Sequence, residues 1–489
     1  MSSQQDRPSS DSRLRNMDTT VVALPLLEKV SEGGTQKHPV IIEVNLLSSM
    51  GGERTKERVT ELVKSISGAS AVNEQLSVDS EQYVFANLSS KEIQRLCVLN
   101  ERGRDGRSDV ESRKLRPIYK IWPDFDVEMQ LSESVSTVKA DAARVAFAAS
   151  GRGIVWAVID SGIQGKHPHF RHHQNLQLPS PLAHWDFTSD EPREIRNPYD
   201  LSDPAGHGTH VAGIIAGENK SESSPLRARV FTRDGVGDPT IETLNLSEIR
   251  GVAPECKLVS LRVTDGEGRT RASRILAALA LIRRINGDGR LARIHGVNIS
   301  LGHSFEPEWF ACGQSPLCVE VDRLVRSGTV VVVAAGNGGF GTVNSKFKEH
   351  MQAGLHSTLL DPANARMAIT VGSTHRNMPH IYGVSYFSAK GPTGDGRLKP
   401  DLVAPGEKII SCSSNACDDG CEYVESSGTS MAAPHVSGCI AGFLSIRREF
   451  KNQPERIKEI FMETATDLGR ERYFQGSGLI DLMRAIQSV

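Results

Sequence analysis

The hydrophobic and polar positions follow one pattern before about residue 125 and another after residue 150. In the first part, 39–44 reads as a short strand, and 54–66 places Val59, Leu62 and Val63 on one face of a helix. Two further strand patterns, a serine-capped helix and a last strand follow at 71–78, 82–86, 89–96 and 117–122. The predicted order is βαββαβ, the split βαβ or ferredoxin-like α+β pattern.

From residue 153 onward the chain contains nearly continuous apolar runs, typical of strands that are buried on both faces. Helical spacing separates some of these runs, and this alternation predicts a parallel α/β sheet. Ligands of such sheets bind beyond the carboxyl ends of the strands, where we expect Asp160, Ser300 and Asn337. The five runs are 154–159, 258–263, 297–300, 329–333 and 368–371, and the helical segments are 272–285 and 319–325.

A chain of 489 residues exceeds one ordinary domain. The net charge of −2 gives no general attraction to nucleic acid or to an acidic membrane. The first 20 residues lack an apolar leader and no 18-residue apolar span follows, so we expect a cytoplasmic protein without a membrane anchor. The predicted organisation is a disordered tail (1–36), a small domain (37–125), a linker with a processing region (126–150) and a large domain (151–489).

Eight cysteines are few for this length, and three of them, Cys97, Cys256 and Cys439, sit in apolar segments where a free buried thiol is expected. Cys412, Cys417 and Cys421 form a local cluster, but three thiols without an adjacent histidine make an incomplete zinc set. Free thiols or a local disulfide are the preferred interpretations. We predict no metal ligand from these residues.

Three glycine-rich segments carry the candidate chemistry. They are Val-Ile-Asp-Ser-Gly around Asp160, Gly-His-Gly-Thr-His around His207, and Gly-Thr-Ser-Met-Ala-Ala-Pro-His around Ser430. A serine hydroxyl becomes a good nucleophile when an imidazole takes its proton and a carboxylate orients that imidazole. A lone aspartate or serine in such a position would be a helix cap, but all three together favour catalysis.

Hydrolysis of an amide also needs donors for the oxyanion. Asn337, in a glycine turn after a buried run, and the backbone N–H of Ser430 are the candidates, although a turn asparagine is the ordinary alternative. An α/β-hydrolase esterase is disfavoured, because Ala432 replaces the last glycine of Gly-x-Ser-x-Gly and the chain order is Asp, His, Ser. His210 and His435 are expected to be packed structural histidines.

From about Ser136 to its end, the chain resembles the subtilisin-like serine peptidases, the subtilase family. The three segments above match the catalytic motifs of that family, and Asn337 matches its oxyanion-hole asparagine. The resemblance implies a serine endopeptidase that forms an acyl-enzyme on protein or peptide substrates. It also implies a substrate cleft lined by Ser300, Leu301, Gly302, Ala334, Ala335 and Gly336.

The small N-terminal domain is similar in element order and position to the subtilase propeptide. The resemblance then implies a self-processing zymogen that is cut between Pro123 and Ser136, with its own propeptide as a partner. The family often binds calcium, but no ligand residues can be assigned, so no cofactor is predicted. The rival hypothesis is a catalytically silent subtilase-like protein that binds extended peptides by strand addition.

Overall fold

The computed structural model describes residues 21–23, 26–27, 36–74, 77, 80, 82–100, 115–124, 133–221, 224–233, 239–308, 310–343, 351–414 and 420–489. The chain divides into two compact units, Met1–Met129 and Gln130–Val489. Each unit has its own buried apolar cluster.

The N-terminal unit contains a three-stranded antiparallel sheet in the order β2-β1-β3, with two helices. The second helix follows Ser89, whose backbone N–H donates to Glu92 Oε2 at 2.7 Å, as expected for a serine-capped start. The apolar faces of the strands and helices pack together. The elements are β1 (Lys37–Val44), α1 (Gly52–Ser67), β2 (Tyr83–Ser89), α2 (Ser90–Asn100) and β3 (Ile118–Pro123).

One predicted strand of this unit, at 71–78, is absent from the described residues of that stretch. A short 3-10 helix, Ala69–Ala71, is followed by a single antiparallel bridge from Val72 to Ala86. The N–H of Ser77 donates to the carbonyl oxygen of Asn73 at 3.1 Å, and the Ser77 hydroxyl donates to the same oxygen at 2.6 Å. These local bonds replace a strand ladder, so the prediction of four full strands is wrong.

Residues 1–20 of the predicted tail lie outside the described residues. Within the rest of that tail, Val21, Val22 and Leu26 are buried, and Val22 forms a bridge to Ile121 of β3. The ordered structure therefore begins before residue 37, because these apolar side chains contribute to the N-terminal core.

The large unit is built around an eight-stranded sheet in the order β17-β16-β13-β12-β4-β11-β5-β6. Adjacent strands pair in parallel, except that β6 runs antiparallel to β5 at one edge. The five predicted runs correspond to β4, β11, β12, β13 and β16. The strands are β4 (Val155–Asp160), β5 (His184–Asp186), β6 (Arg193–Ile195), β11 (Lys257–Arg262), β12 (Gly296–Ile299), β13 (Val330–Ala334), β16 (Ile369–His375) and β17 (Leu402–Glu407).

Side chains of β4 alternate between two buried clusters, as the period of a strand requires. Trp156 and Val158 belong to one cluster, whereas Ala157 and Ile159 belong to the other. Helices α5 and α9 supply the first cluster, and α6 and α7 supply the second. These helices are α5 (His207–Ile215), α6 (Ala272–Ile285), α7 (Pro316–Arg326) and α9 (Thr429–Ile446).

Several strands form small sheets separate from the central sheet. A four-stranded sheet has the order β18-β19-β8-β9, and β7 pairs with β10 and β14 with β15. These strands are β7 (Glu218–Lys220), β8 (Leu226–Arg233), β9 (Pro239–Leu246), β10 (Glu248–Arg250), β14 (Phe340–Val343), β15 (Met351–Gly354), β18 (Ile409–Cys412) and β19 (Tyr423–Ser426).

Six shorter helices complete the described part of the chain. None of the helices in that part is both long and apolar enough to cross a membrane. The remaining helices are α3 (Glu133–Thr137), α4 (Ala140–Phe147), α8 (Pro379–Tyr382), α10 (Pro454–Glu463), α11 (Arg472–Gln475) and α12 (Leu482–Gln487).

Candidate active site

The carboxyl ends of three neighbouring strands bring the candidate residues to one edge of the sheet. Ile299 of β12 is the register partner of both Ile159 in β4 and Val333 in β13. Asp160, Ser300 and Ala334 each follow these partners by one residue, so they come at the same level of the sheet. The predicted location at the carboxyl edge therefore agrees with the strand register.

Asp160 and His207 form the closest contact of the site. Asp160 is fully buried, and its Oδ1 lies 2.7 Å from His207 Nδ1. The same oxygen accepts the N–H of Ser161 at 2.7 Å, while Asp160 Oδ2 has no hydrogen-bond partner among the described residues. The carboxylate charge is therefore available to stabilise a positive charge on the His207 ring.

His207 is the first residue of α5, and the start of this helix is fixed by side chains that cap it. Asp203 accepts the N–H of Gly206 at 2.9 Å and the N–H of Thr209 at 2.7 Å. The Ser161 hydroxyl accepts the N–H of Gly208 at 2.8 Å. These bonds satisfy helix-start donors that have no partner inside the helix.

A glycine is required immediately after His207. A Cβ at Gly208 would lie 2.2 Å from the carbonyl oxygen of Gly162 and 3.1 Å from Asp160 Cβ. The close approach of α5 to the end of β4 therefore requires a residue without a side chain at position 208. This contact explains one glycine of the Gly-His-Gly context.

The electrostatic environment of His207 favours its charged form. Burial disfavours the imidazolium, but the Asp160 carboxylate, its hydrogen bond and the charge of Asp203 outweigh burial and raise the pKa of His207. About a third of the His207 side chain, 35%, remains exposed. The ring is therefore both accessible and held next to a carboxylate.

Ser430 is the second residue of α9 and is partly exposed. Its hydroxyl donates to the carbonyl oxygen of Ser300 at 3.2 Å, and the Ser300 hydroxyl donates to the carbonyl oxygen of Ser430 at 3.1 Å. In the part of the chain that the structure describes, no hydrogen bond joins Ser430 to His207. The structure thus brings together Asp160 with His207, and Ser300 with Ser430.

Asn337 is oriented by Thr429, the residue before Ser430. Asn337 Oδ1 accepts the Thr429 backbone N–H at 2.9 Å and the Thr429 hydroxyl at 3.1 Å. Because the backbone N–H can only donate, it must face the oxygen of the Asn337 amide. The amide nitrogen is then left to donate elsewhere, beside Gly428, where a Cβ would lie 3.3 Å from Asn337 Nδ2.

Ser300 is also held by a network of buried polar side chains. Asn298, on β12, donates through Nδ2 to the Ser300 hydroxyl at 2.9 Å, and its Oδ1 accepts the Ser437 hydroxyl at 2.9 Å. Asn298 and Ser437 are fully buried. Buried hydrogen-bonded networks of this kind hold their members in one arrangement.

Sequence reasoning missed several residues that position the site, namely Asp203, Thr429, Asn298 and Ser437. Asp203 falls shortly before the histidine motif and Ser437 falls in the helix after the serine motif. The only available signal was the general preference for an acidic or hydroxyl residue before a helix start. It could identify Asp203 as a cap but not its proximity to His207.

Two candidate cleft segments lie at the carboxyl ends of β12 and β13: the β12 segment is 300–302 and the β13 segment is 334–336. Ser300 is nearly buried, Leu301 is partly exposed and Gly302 is exposed. Ala334, Ala335 and Gly336 are buried. The N–H of Gly336 donates to the Thr429 hydroxyl at 3.0 Å, so both segments contact the start of α9.

The other two histidines of the motifs are buried and bonded to the backbone. A ring nitrogen of His210 lies 3.0 Å from the Val424 carbonyl oxygen, and one of His435 lies 2.8 Å from that of Met431. Burial lowers the pKa of each to about 4, so both are neutral near pH 7. Their surroundings agree with the predicted structural role.

One group of side chains within the described residues has the spacing of metal ligands, His172, His173 and Glu218. Calcium, which subtilases commonly bind, prefers oxygen ligands, so two imidazoles do not fit it. Glu218 is already paired with His173 at 2.9 Å, Arg250 at 2.9 Å and Lys220 at 3.2 Å. Because the Arg250 and Lys220 cations already balance the charge of this carboxylate, we assign no metal to the group.

No disulfide joins any of the described cysteines. Cys412 and Cys421 are buried, and burial raises the pKa of Cys412 above its ordinary range. Cys417 lies outside the described residues. Of the two interpretations left open for this cluster, free thiols or a local disulfide, no disulfide forms between its two described members.

A model of the subtilase family matches residues 151–478. That match covers more than half of the chain, and the chain therefore belongs to the subtilase family. Its class is that of the subtilisin-like serine proteases.

Individual relatives agree with this assignment. Serine protease AprX of Bacillus subtilis (strain 168) is 27% identical over 389 residues, which are 76% of this chain and 74% of AprX. Subtilisin E of the same strain is 30% identical over 338 residues, 69% of this chain and 67% of its own. Pyrolysin of Pyrococcus furiosus is 31% identical over 320 residues, 58% of this chain, and the match spans only 21% of pyrolysin.

Proposed function

We propose that Ser430 is the nucleophile of a serine endopeptidase, with His207 as its general base and Asp160 as the group that orients His207. The observation that carries the proposal is the 2.7 Å contact between Asp160 Oδ1 and His207 Nδ1. An ionised carboxylate can only accept, so the Nδ1 atom carries the proton and Nε2 keeps its lone pair. That lone pair is the acceptor that a serine nucleophile needs.

The reaction begins when the Ser430 hydroxyl leaves the Ser300 carbonyl oxygen and turns to His207. The Ser430 oxygen bonds to the carbonyl carbon of the substrate while its proton passes to His207 Nε2. The resulting oxyanion accepts hydrogen bonds from Asn337 Nδ2 and from the Ser430 backbone N–H, a first-turn donor of α9. His207 then gives its proton to the leaving amine as the C–N bond breaks, which leaves an acyl-enzyme on Ser430.

Water completes the cycle. His207 takes a proton from the water as the water oxygen bonds to the acyl carbon, and a second oxyanion forms at the same donors. The bond to Ser430 then breaks, and the serine oxygen regains its proton from His207. The substrates are proteins or peptides, whose chain would lie along the β12 and β13 segments.

We further propose that the N-terminal unit is a propeptide and that the full chain is a self-processing zymogen. Its place ahead of the peptidase domain and its separate core support this proposal. The cut would fall between Pro123 and Ser136, a stretch whose residues 125–132 lie outside the described ones. The domain limits of 37–125 and 151–489 are part of the same proposal.

The test is to express the full chain and its Ser430→Ala variant, with Ser488→Ala as a matched serine change on the exposed C-terminal surface. The unmodified chain and Ser488→Ala are expected to hydrolyse casein and to shorten on a gel. Ser430→Ala is expected to do neither. A chain that binds peptides but leaves them intact would instead support the catalytically silent alternative, and hydrolysis without shortening would contradict the zymogen proposal alone.

A further inference from the structure

A third segment runs between the two cleft segments and holds Leu360 there. The Leu360 N–H donates to the Ala335 carbonyl oxygen at 3.2 Å. On its other side, Asp361 and His303 exchange two backbone hydrogen bonds of 2.9 Å. The Leu360 backbone is therefore bonded to the β13 segment. The next residue, Asp361, is bonded to His303, which directly follows the β12 segment.

The side chain of Leu360 fills the space that faces a glycine of each segment. A Cβ on Gly336 would lie 2.7 Å from Leu360 Cγ and 3.0 Å from its Cδ1. A Cβ on Gly302 would lie 3.1 Å from Leu360 Cβ and 3.6 Å from its Cδ1. The two glycines thus face the same leucine, and among the described residues no other side chain lies as close to either position.

Both segments that border this space also contact the start of α9, which carries the candidate nucleophile. The β12 segment contacts Ser430 through the carbonyl oxygen of Ser300 at 3.2 Å. The β13 segment contacts Thr429 through the Gly336 N–H at 3.0 Å. Because the two segments contact Ser430 and Thr429, we expect the side chain on the acyl side of a substrate carbonyl held at Ser430 and Asn337 to enter between them.

We propose that Leu360 limits the protease to substrates with a small side chain, that of glycine, alanine or serine, immediately before the cleaved bond. This inference rests on the proposed function of Ser430 and Asn337. The Leu360 backbone is held by the Ala335 hydrogen bond, so a large substrate side chain must displace a packed leucine. Overpacking of that kind is unfavourable, whereas a methyl group needs no displacement.

The expected change in substrate preference can be estimated from the number of side-chain carbons that Leu360 places in this space. One methylene more or less in an apolar pocket changes kcat/KM by roughly 10- to 200-fold. Replacing Leu360 by glycine removes four carbons from the space that faces Gly302 and Gly336. We therefore expect the ratio of kcat/KM for phenylalanine over alanine at this position to rise by at least about tenfold in Leu360→Gly.

The experiment compares two chromogenic peptides that differ only in alanine or phenylalanine before the cleaved bond. The enzymes are the unmodified full chain, Leu360→Gly, Leu360→Ala and the control Leu359→Ala. Leu359 is the adjacent leucine, is buried with Ala335 and Ala389, and does not face the two glycines. The unmodified chain and Leu359→Ala should prefer the alanine peptide. Both Leu360 variants should shift toward the phenylalanine peptide, and the shift should be larger in Leu360→Gly than in Leu360→Ala.

The outcomes separate this inference from the proposed function. A preference of the unmodified chain for phenylalanine, or an unchanged ratio in a Leu360 variant, would overturn the inference while the endopeptidase proposal stands. An equal shift in Leu359→Ala would overturn it as well, because the effect would then reflect general loosening. Hydrolysis of neither peptide by the unmodified chain would contradict the proposed function itself and this inference with it.

Discussion

Thr429 offers a sharp test of how the candidate oxyanion donor is held. Its hydroxyl donates to Asn337 Oδ1 at 3.1 Å and accepts the buried Gly336 N–H at 3.0 Å. Thr429→Val has nearly the same shape but lacks both of these bonds, while the backbone bond from Thr429 to Asn337 remains. Asn337 would therefore keep one of its two anchors.

The effects of Thr429→Val on stability and on kcat can be estimated from the two hydrogen bonds that the variant loses. The bond to Asn337 contributes about 0.5–1.5 kcal/mol, and leaving the Gly336 N–H without a partner costs about 1–3 kcal/mol. Together they predict a loss of about 1.5–4.5 kcal/mol in the free energy of unfolding. If the loosened Asn337 weakens transition-state binding by the first amount, kcat falls roughly 2- to 12-fold. Complete removal of the equivalent donor in subtilisin, as measured there, costs about 10²–10³.

The assay is peptide hydrolysis by the unmodified chain, Thr429→Val and Thr429→Ser, with urea unfolding of each in a Ser430→Ala background. Thr429→Ser retains the hydroxyl and should keep most of kcat. We expect Thr429→Val to lower kcat with little change in KM. An unchanged kcat in Thr429→Val, or an equal loss in Thr429→Ser, would refute the proposed anchoring of Asn337.

Three further predictions concern pH, stability and packing. Since His207 must be neutral to act as a base and its pKa is raised, the acidic limb of kcat/KM should have its midpoint above pH 6.5. Asp203→Asn should move that midpoint downward, and an unmoved midpoint would contradict the assigned charge effect. Asp401 is buried and bonded to Lys399 Nζ at 2.5 Å, so Asp401→Asn should lower the free energy of unfolding in urea by about 3–5 kcal/mol. A change below about 1 kcal/mol, as for an exposed ion pair, would contradict the stabilising role of this buried pair. Gly208→Ala places a Cβ 2.2 Å from the Gly162 carbonyl oxygen and should reduce kcat by up to about 100-fold, because the start of α5 must move and His207 with it. An unchanged kcat in this variant would contradict the requirement for glycine at position 208.

The sequence was most informative where the pattern is local. Apolar runs predicted the central strands because a strand buried on both faces needs apolar residues at consecutive positions. Glycine contexts identified His207 and Ser430 as candidates, and the register of β4 and β12 brings Asp160 and Ser300 to one level of the sheet. For the predicted strand at 71–78, local bonds around Ser77 replaced sheet pairing.

The contacts that tune the site could not be predicted, because they join residues that are far apart in the chain. Asn337 and Thr429 are 92 positions apart, and Asn298 and Ser437 are 139 apart. No spacing rule connects such pairs before the fold is known. Leu360 lies within the connection between β15 and β16, so its sequence context gave no sign of its position between the two cleft segments.

The central claim is that Ser430 is an activated nucleophile. The most direct measurement is to treat the full chain with a fluorophosphonate probe and to locate the labelled residue by mass spectrometry. The account predicts one modified serine, Ser430, with labelling strongly reduced in His207→Ala and unaffected in Ser488→Ala. Absence of label from the unmodified chain, or label on a different serine, would contradict it.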